Sequence, residues 1–252
     1  MKDRKCLAFV CITAIFMFAT IQPVHADPIG ISPSSLEITI YEYEPTNVSF
    51  FISIGPSYEE NQLIFVYTDA QWALPELSSF YLSPSSGKYI NVSIAPLPAG
   101  DYKGLVTAYT VIPDTITVIE AVSAHLIVHV LPTANVDVDP DTLNLESNGK
   151  WVTAYIELHQ PYNASKININ SILLNIAGKN FTIDSSAPFA VGDYDRDGVT
   201  DLMVKFERYS ITSYLGLIDF ETGYSGIPLR LTLTGFVEDV PFKGVASIKI
   251  IR

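Results

Sequence analysis

Apolar and polar residues alternate with a period of two along most of this chain. The runs Leu36-Glu-Ile-Thr-Ile-Tyr41, Asn47-Val-Ser-Phe-Phe-Ile-Ser-Ile54 and Leu63-Ile-Phe-Val-Tyr67 show it. So do Tyr89-Ile-Asn-Val-Ser-Ile94, Gly104-Leu-Val-Thr-Ala-Tyr109 and Ala124-His-Leu-Ile-Val-His-Val130. Successive side chains of a strand point to opposite faces, so each run predicts a strand with one face in a core. Clusters of Gly, Pro, Ser and Asp interrupt the runs at short intervals. Many short strands with regular turn signals predict β-sandwiches and not a parallel sheet crossed by helices. One segment has a helical look, Tyr209-Ser-Ile-Thr-Ser-Tyr-Leu215, and its length allows two turns at most.

The strongest boundary signal is Leu131-Pro132-Thr-Ala-Asn135, between a strand-like run and a new alternation, Val136-Asp-Val-Asp139. The expected organisation is all-β: two β-sandwich domains in tandem, over residues 27–132 and 133–252. Residues 1–26 read as a signal peptide. Lys2, Arg4 and Lys5 form a basic head, Leu7 to Ile21 is apolar but for Thr13 and Thr20, and Val24-His25-Ala26 offers a small-x-small cleavage site. The apolar run is short for a membrane span and is soon followed by Pro23. The expectation is a secreted or surface-exposed mature chain with no transmembrane anchor.

The chain carries a formal charge of −12, and cleavage after Ala26 would make the remainder two charges more acidic. That balance argues against nucleic acid, whose phosphates need a basic patch, and is compatible with divalent cations. Cys6 and Cys11 would leave with the signal, so no disulfide would staple the mature protein.

The richest chemistry lies in Asp193-Tyr-Asp-Arg-Asp-Gly-Val-Thr-Asp201. Asp193, Asp195, Asp197 and Asp201 occupy loop positions one, three, five and nine, and Gly198 occupies position six. So many like charges repel unless a hard cation sits among them. Ca²⁺ takes six to eight oxygens, and a glycine permits the turn that folds them inward. The four aspartates would bind through their side chains and Val199 through its backbone carbonyl. β-like segments flank the loop, and position twelve is Val204, where an EF-hand would need a bidentate acid.

Three resemblances follow from these residues. Trp72-Ala-Leu-Pro75, Leu82-Ser-Pro-Ser-Ser-Gly87 and Pro98-Ala-Gly-Asp-Tyr-Lys-Gly104 resemble immunoglobulin-like and fibronectin type III-like modules of prokaryotic surface proteins. This implies that Tyr102 caps a corner through a hydroxyl-to-backbone hydrogen bond. Gly192-Asp-Tyr-Asp-Arg-Asp-Gly-Val-Thr-Asp-Leu202 resembles the hairpin calcium loop of FG-GAP and thrombospondin-like repeats, which implies that Leu202 plugs the core. A single copy excludes a propeller of such repeats. Val136 to Leu145, Gly149 to Glu157, Ile172 to Asn175, Leu231 to Phe236 and Pro241 to Gly244 follow the order of a secreted module of archaeal and bacterial surface proteins. A fold-level resemblance implies no reaction.

Several weaker features remain. Asn47, Asn91, Asn163 and Asn180 head Asn-x-Ser/Thr triplets and are candidate glycan acceptors. His125 and His129 share a strand face but lack a third metal ligand. Asp137, Asp139 and Asp141 lack a glycine turn and read as a solvated edge. Trp72, in a turn-rich region, is the better candidate for an exposed, sugar-stacking ring; Trp151 reads as packed. No nucleophile elbow, zinc-protease helix or phosphate loop is present, and no groove is indicated for paired catalytic carboxylates. The expected function is a non-catalytic exported surface, envelope or adhesion protein with a structural calcium ion. Its partner would be another surface protein or a glycan, and the alternative is a carbohydrate-binding module.

Overall fold

The structure, a computed structural model, describes residues 29–112, 115–222, 226 and 228–252. The expected signal segment lies outside the described residues. The alternating runs all form strands. They are β1 (Ile29–Ser32), β2 (Ser35–Tyr41), β3 (Thr46–Ile54), β4 (Gln62–Thr68), β5 (Ala73–Pro75), β6 (Ser79–Leu82), β7 (Gly87–Ile94), β8 (Gly100–Val111) and β9 (Val118–Leu131). Two sheets result, β1-β3-β7-β5 and β2-β9-β8-β4-β6. Their inward positions, among them Phe50, Ile52, Ile64, Ile90 and Leu126, meet in one apolar core. Tyr102 donates its hydroxyl to the Pro98 carbonyl at 3.0 Å, the corner bond expected of the Gly-x-Tyr turn.

The chain continues through β10 (Thr133–Asp139), β11 (Thr142–Asn144), β12 (Trp151–Leu158), β13 (Leu173–Ile176), β14 (Lys179–Thr182), β15 (Ala190–Gly192) and β16 (Asp201–Glu207). A helix, α1 (Arg208–Thr222), precedes the closing pair β17 (Pro228–Val237) and β18 (Val240–Ile251). These strands form one nine-stranded sheet, β14-β13-β17-β18-β10-β12-β16-β15, with β11 also on β18. The arrangement is sandwich-like, but the strands are continuous in one sheet and share a second core. β10 and β18 approach closely at Gly244, where a Cβ would sit 2.3 Å from Val136 and 2.9 Å from the Ala134 carbonyl oxygen.

The helix runs for fifteen residues, about twice the expected length. Ser, Thr, Ile, Tyr and Gly are mediocre helix formers, so local propensity understates it. Ile211 and Leu215, four apart and fully buried, pack into the second core with Tyr214 and Ile218 beside them. Such burial, on the order of 1.5–3 kcal/mol per large aliphatic side chain, outweighs a few tenths per residue of poor propensity. Buried Arg208 ties the start of the helix to the Asn144 carbonyl and to Ser147.

The two cores change over at a single buried residue, Pro132, which separates β9 from β10. Glu42 pins this point. Its side chain is fully buried and accepts from the backbone N–H groups of Ala99 at 2.9 Å and Thr133 at 2.8 Å. The Thr133 hydroxyl at 3.2 Å and His159 Nδ1 at 3.3 Å complete the set. Tyr43 meets the His159 ring edge-on, and the Lys243 ammonium lies 5.0 Å from the Tyr41 ring centre. The stretch around Pro132 is therefore a fastened joint, tied through Glu42 to residues 99 and 159.

Candidate metal centre

The acidic loop is the turn of a hairpin. Gly192 on β15 pairs with Asp201 on β16, so Asp193 to Thr200 project beyond the last rung. Four backbone N–H groups bond to the four aspartates. Gly198 donates to Asp193 Oδ2 at 3.1 Å, Asp197 to Asp195 Oδ1 at 3.2 Å, and Val199 to Asp197 Oδ1 at 2.8 Å. Tyr194 donates to Asp201 Oδ2 at 2.7 Å. Each carboxylate thus spends one oxygen on shaping the turn, and the other accepts no hydrogen bond among the described residues. Gly198 has φ +92° in open space, so glycine is required there by backbone conformation and not by crowding.

The loop folds back onto the sheet, and the Tyr194 ring rests against Tyr155 of β12 with centroids 4.9 Å apart. Carboxylate oxygens consequently gather in two overlapping sets. Asp193, Asp195 and Asp201 place oxygens within 4.8 Å of one another, and so do Glu157, Asp195 and Asp197. Asp195 belongs to both. Among the described residues no Lys, Arg or His forms an ion pair with these five groups.

Glu157 was not among the residues expected at the site. It lies on β12 directly opposite Asp201, at an outward position that alternation alone would leave in water. The overlying loop leaves it only 8 % exposed and Asp201 only 5 %. Burial, followed by the charges of Asp197, Asp201 and Asp195, pushes the Glu157 carboxyl above its ordinary range. The adjoining Leu202 is buried in the core, as expected of the plug residue. Asp137 and Asp139 lie on the outward face of β10 opposite Tyr155 and Thr153, outside both carboxylate sets.

Other residues singled out from the sequence have different surroundings. Trp72 is not a free platform: it packs on the first core and meets Tyr102 edge-on at 5.8 Å. Trp151 donates to Asp184 at 2.9 Å and has the ammoniums of Lys150 and Lys205 within 4.6 Å of its ring centre. Among the described residues the most exposed rings are tyrosines, with Tyr81 at 69 % and Tyr209 at 76 %. A groove of about 750 Å³, absent from expectation, is lined by Lys150, Lys179, Phe181, Asp184, Glu207 and Tyr209. Its Asp184 is held below the usual carboxylate range by hydrogen bonds from Ser186 and Trp151, the opposite of what a general acid needs.

All four candidate glycan acceptors are exposed. Asn91 is the most engaged, donating its amide to Glu76 at 3.0 Å while accepting from Ser49. His125 is exposed, whereas His129 is clamped between Asp101 at 2.6 Å and Glu37 at 2.8 Å. The hydrogen bonds to Asp101 and then Glu37 raise the His129 pKa above 6.5. A raised folded pKa adds stability that is fully present below 6.5 and is lost as pH rises through the folded value. The melting temperature is therefore expected to fall over that window in the parent protein. The fall should be smaller in His129→Ala, and an identical pH profile in the two proteins would refute the linkage.

No family model matches the chain, and no curated protein matches it. Among solved structures, a protein of unknown function from Porphyromonas gingivalis W83 aligns at 14 % identity and a TM-score of 0.37. It covers 88 % of this chain and 100 % of that one. The CsuC–CsuE chaperone-tip adhesion subunit pre-assembly complex of Acinetobacter baumannii aligns at 10 % identity, TM-score 0.32, over 89 % and 99 % of the two chains. The E. coli chaperone DraB aligns at 8 % identity, TM-score 0.32, over 86 % and 96 %. Likeness this faint transfers no function, so function must be sought in the chain's own residues.

Proposed function

We propose that this is a non-catalytic, exported cell-surface or envelope protein of two β domains, divided near Pro132, whose hairpin loop holds a structural Ca²⁺. Asp193, Asp195, Asp197 and Asp201 bind through carboxylate oxygens and Val199 through its carbonyl. One observation carries the reading: carboxylates converge to within 4.8 Å without a basic partner in ion-pair range among the described residues. A hard divalent cation is the neutralising guest that such oxygen-only donors suit. The ion ties the tip of β15–β16 to the sheet and stiffens its edge. The protein's partner is another surface protein, and its exposed sequons accept glycans where the host glycosylates.

Extracellular calcium modules bind with Kd near 10⁻⁴–10⁻³ M. Calcium at ten to a hundred times Kd stabilises a fold by about 1.4–2.7 kcal/mol. At about 2–4 °C per kcal/mol, the melting temperature should rise by roughly 3–11 °C in Ca²⁺ and fall back in chelator. Calorimetry that finds no calcium uptake at millimolar supply would sink the metal assignment. Recovery of the full chain only from the cytosol would sink the surface role.

A second reading, glycan binding, is favoured by the outward face of the five-stranded sheet. Tyr67 and Tyr81 are more than half exposed there, beside the stacked pair Phe65 and Tyr109. Glycan-array binding lost in Tyr81→Ala would favour that reading over the protein partner.

A further inference from the structure

We infer that Glu157 is a direct ligand of this cation, supplied by the sheet in place of the acid that the hairpin lacks at its twelfth position. The inference rests on the hairpin being a cation site, and it adds a residue outside the loop motif. Position twelve is Val204, which points into the core and is 1 % exposed, so no residue there can reach the loop. Glu157 stands across the β12–β16 ladder from Asp201, the last acid of the loop. A carboxylate oxygen of Glu157 lies within 4.8 Å of oxygens of both Asp195 and Asp197.

The state of this side chain is the independent observation. The residue is only 8 % exposed, and among the described residues no hydrogen-bond donor meets its carboxylate. Buried carboxylates are normally paired or hydrogen-bonded, because an unpartnered one is costly. Here it faces three aspartates, which makes matters worse unless a cation lies between them. Asp195 links the set containing Glu157 to the set containing Asp193 and Asp201, so a single ion beside Asp195 is reached from both the loop and the sheet. Binding at that point clamps the hairpin onto β12, where Tyr194 already rests on Tyr155.

The test is calcium calorimetry and thermal unfolding of the full chain as parent and as Glu157→Gln, an isosteric change that removes the charge. Calcium affinity should fall at least tenfold in the variant. In chelator the variant should melt at the same temperature as the parent or higher, since a buried, repelled charge has gone. In millimolar Ca²⁺ it should melt lower than the parent. A calcium affinity within twofold of the parent, or an equal loss of melting temperature with and without calcium, would overturn the role of Glu157 while leaving the loop site standing. Absence of calcium uptake by the parent would overturn both.

Discussion

Glu42→Ala should lower the melting temperature by roughly 6–12 °C. The side chain is fully buried and meets four donors from three separate segments. Truncation strands the N–H groups of the half-buried Ala99 and Thr133, and an unsatisfied donor out of water costs about 1–3 kcal/mol. A total near 3 kcal/mol, at about 2–4 °C per kcal/mol, gives the stated range. His159 is about half exposed and regains water, so it adds little. Glu42→Gln should fall between parent and alanine, because its one oxygen cannot serve every donor and its amide presents hydrogens to the rest. A melting temperature for Glu42→Ala within a degree of the parent would show that Glu42 does not fasten the joint at Pro132.

Asp195→Ala should abolish the calcium-dependent rise in melting temperature while leaving the protein folded in chelator. Asp195 is the carboxylate common to both oxygen sets, so its loss opens each of them. The residue is exposed, and its one recorded hydrogen bond is to the Asp197 N–H. The metal-free fold therefore loses little, and relief of charge repulsion offsets part of that. Asp137→Ala is the matched control: it also removes one acidic charge from this face but lies outside both sets, so the calcium response should persist. A full response in Asp195→Ala, or an equal loss in both variants, would point to diffuse screening of negative charge and away from a defined site.

Most of the strands were legible in the chain because period-two alternation is a local signal. Phe50 and Ile52, or Leu126 and Val128, announce an inward face without reference to any neighbour. The acidic turn was legible for the same reason: Asp193, Asp195, Asp197, Gly198 and Asp201 shape it through bonds that span at most seven residues. The helix was only half legible. Its first turns carry the periodic pair Ile211 and Leu215, but its full length depends on a core assembled from strands far away in sequence. Trp72 was misread because exposure in a turn-rich stretch depends on what the rest of the fold lays over it, here Tyr102.

Glu157 marks the limit most sharply. In the run Trp151-Val-Thr-Ala-Tyr-Ile-Glu157 it has the phase of a solvent-facing residue, and in isolation the strand would leave it there. Its burial arises only because β12 pairs with β16 in a register that sets it opposite Asp201, and because the hairpin then folds over both. Glu42 is similar, an acid at the end of β2 whose partners come from residues 99, 133 and 159. The sequence by itself therefore determined the all-β class, the strands and the acidic turn, since each follows from the stereochemistry and chemistry of near neighbours. Tertiary structure alone decided the continuous second sheet, the fastened joint and the fifth carboxylate. Those depend on which strands pair and in what register, a choice made by the burial of whole faces and not by any one segment.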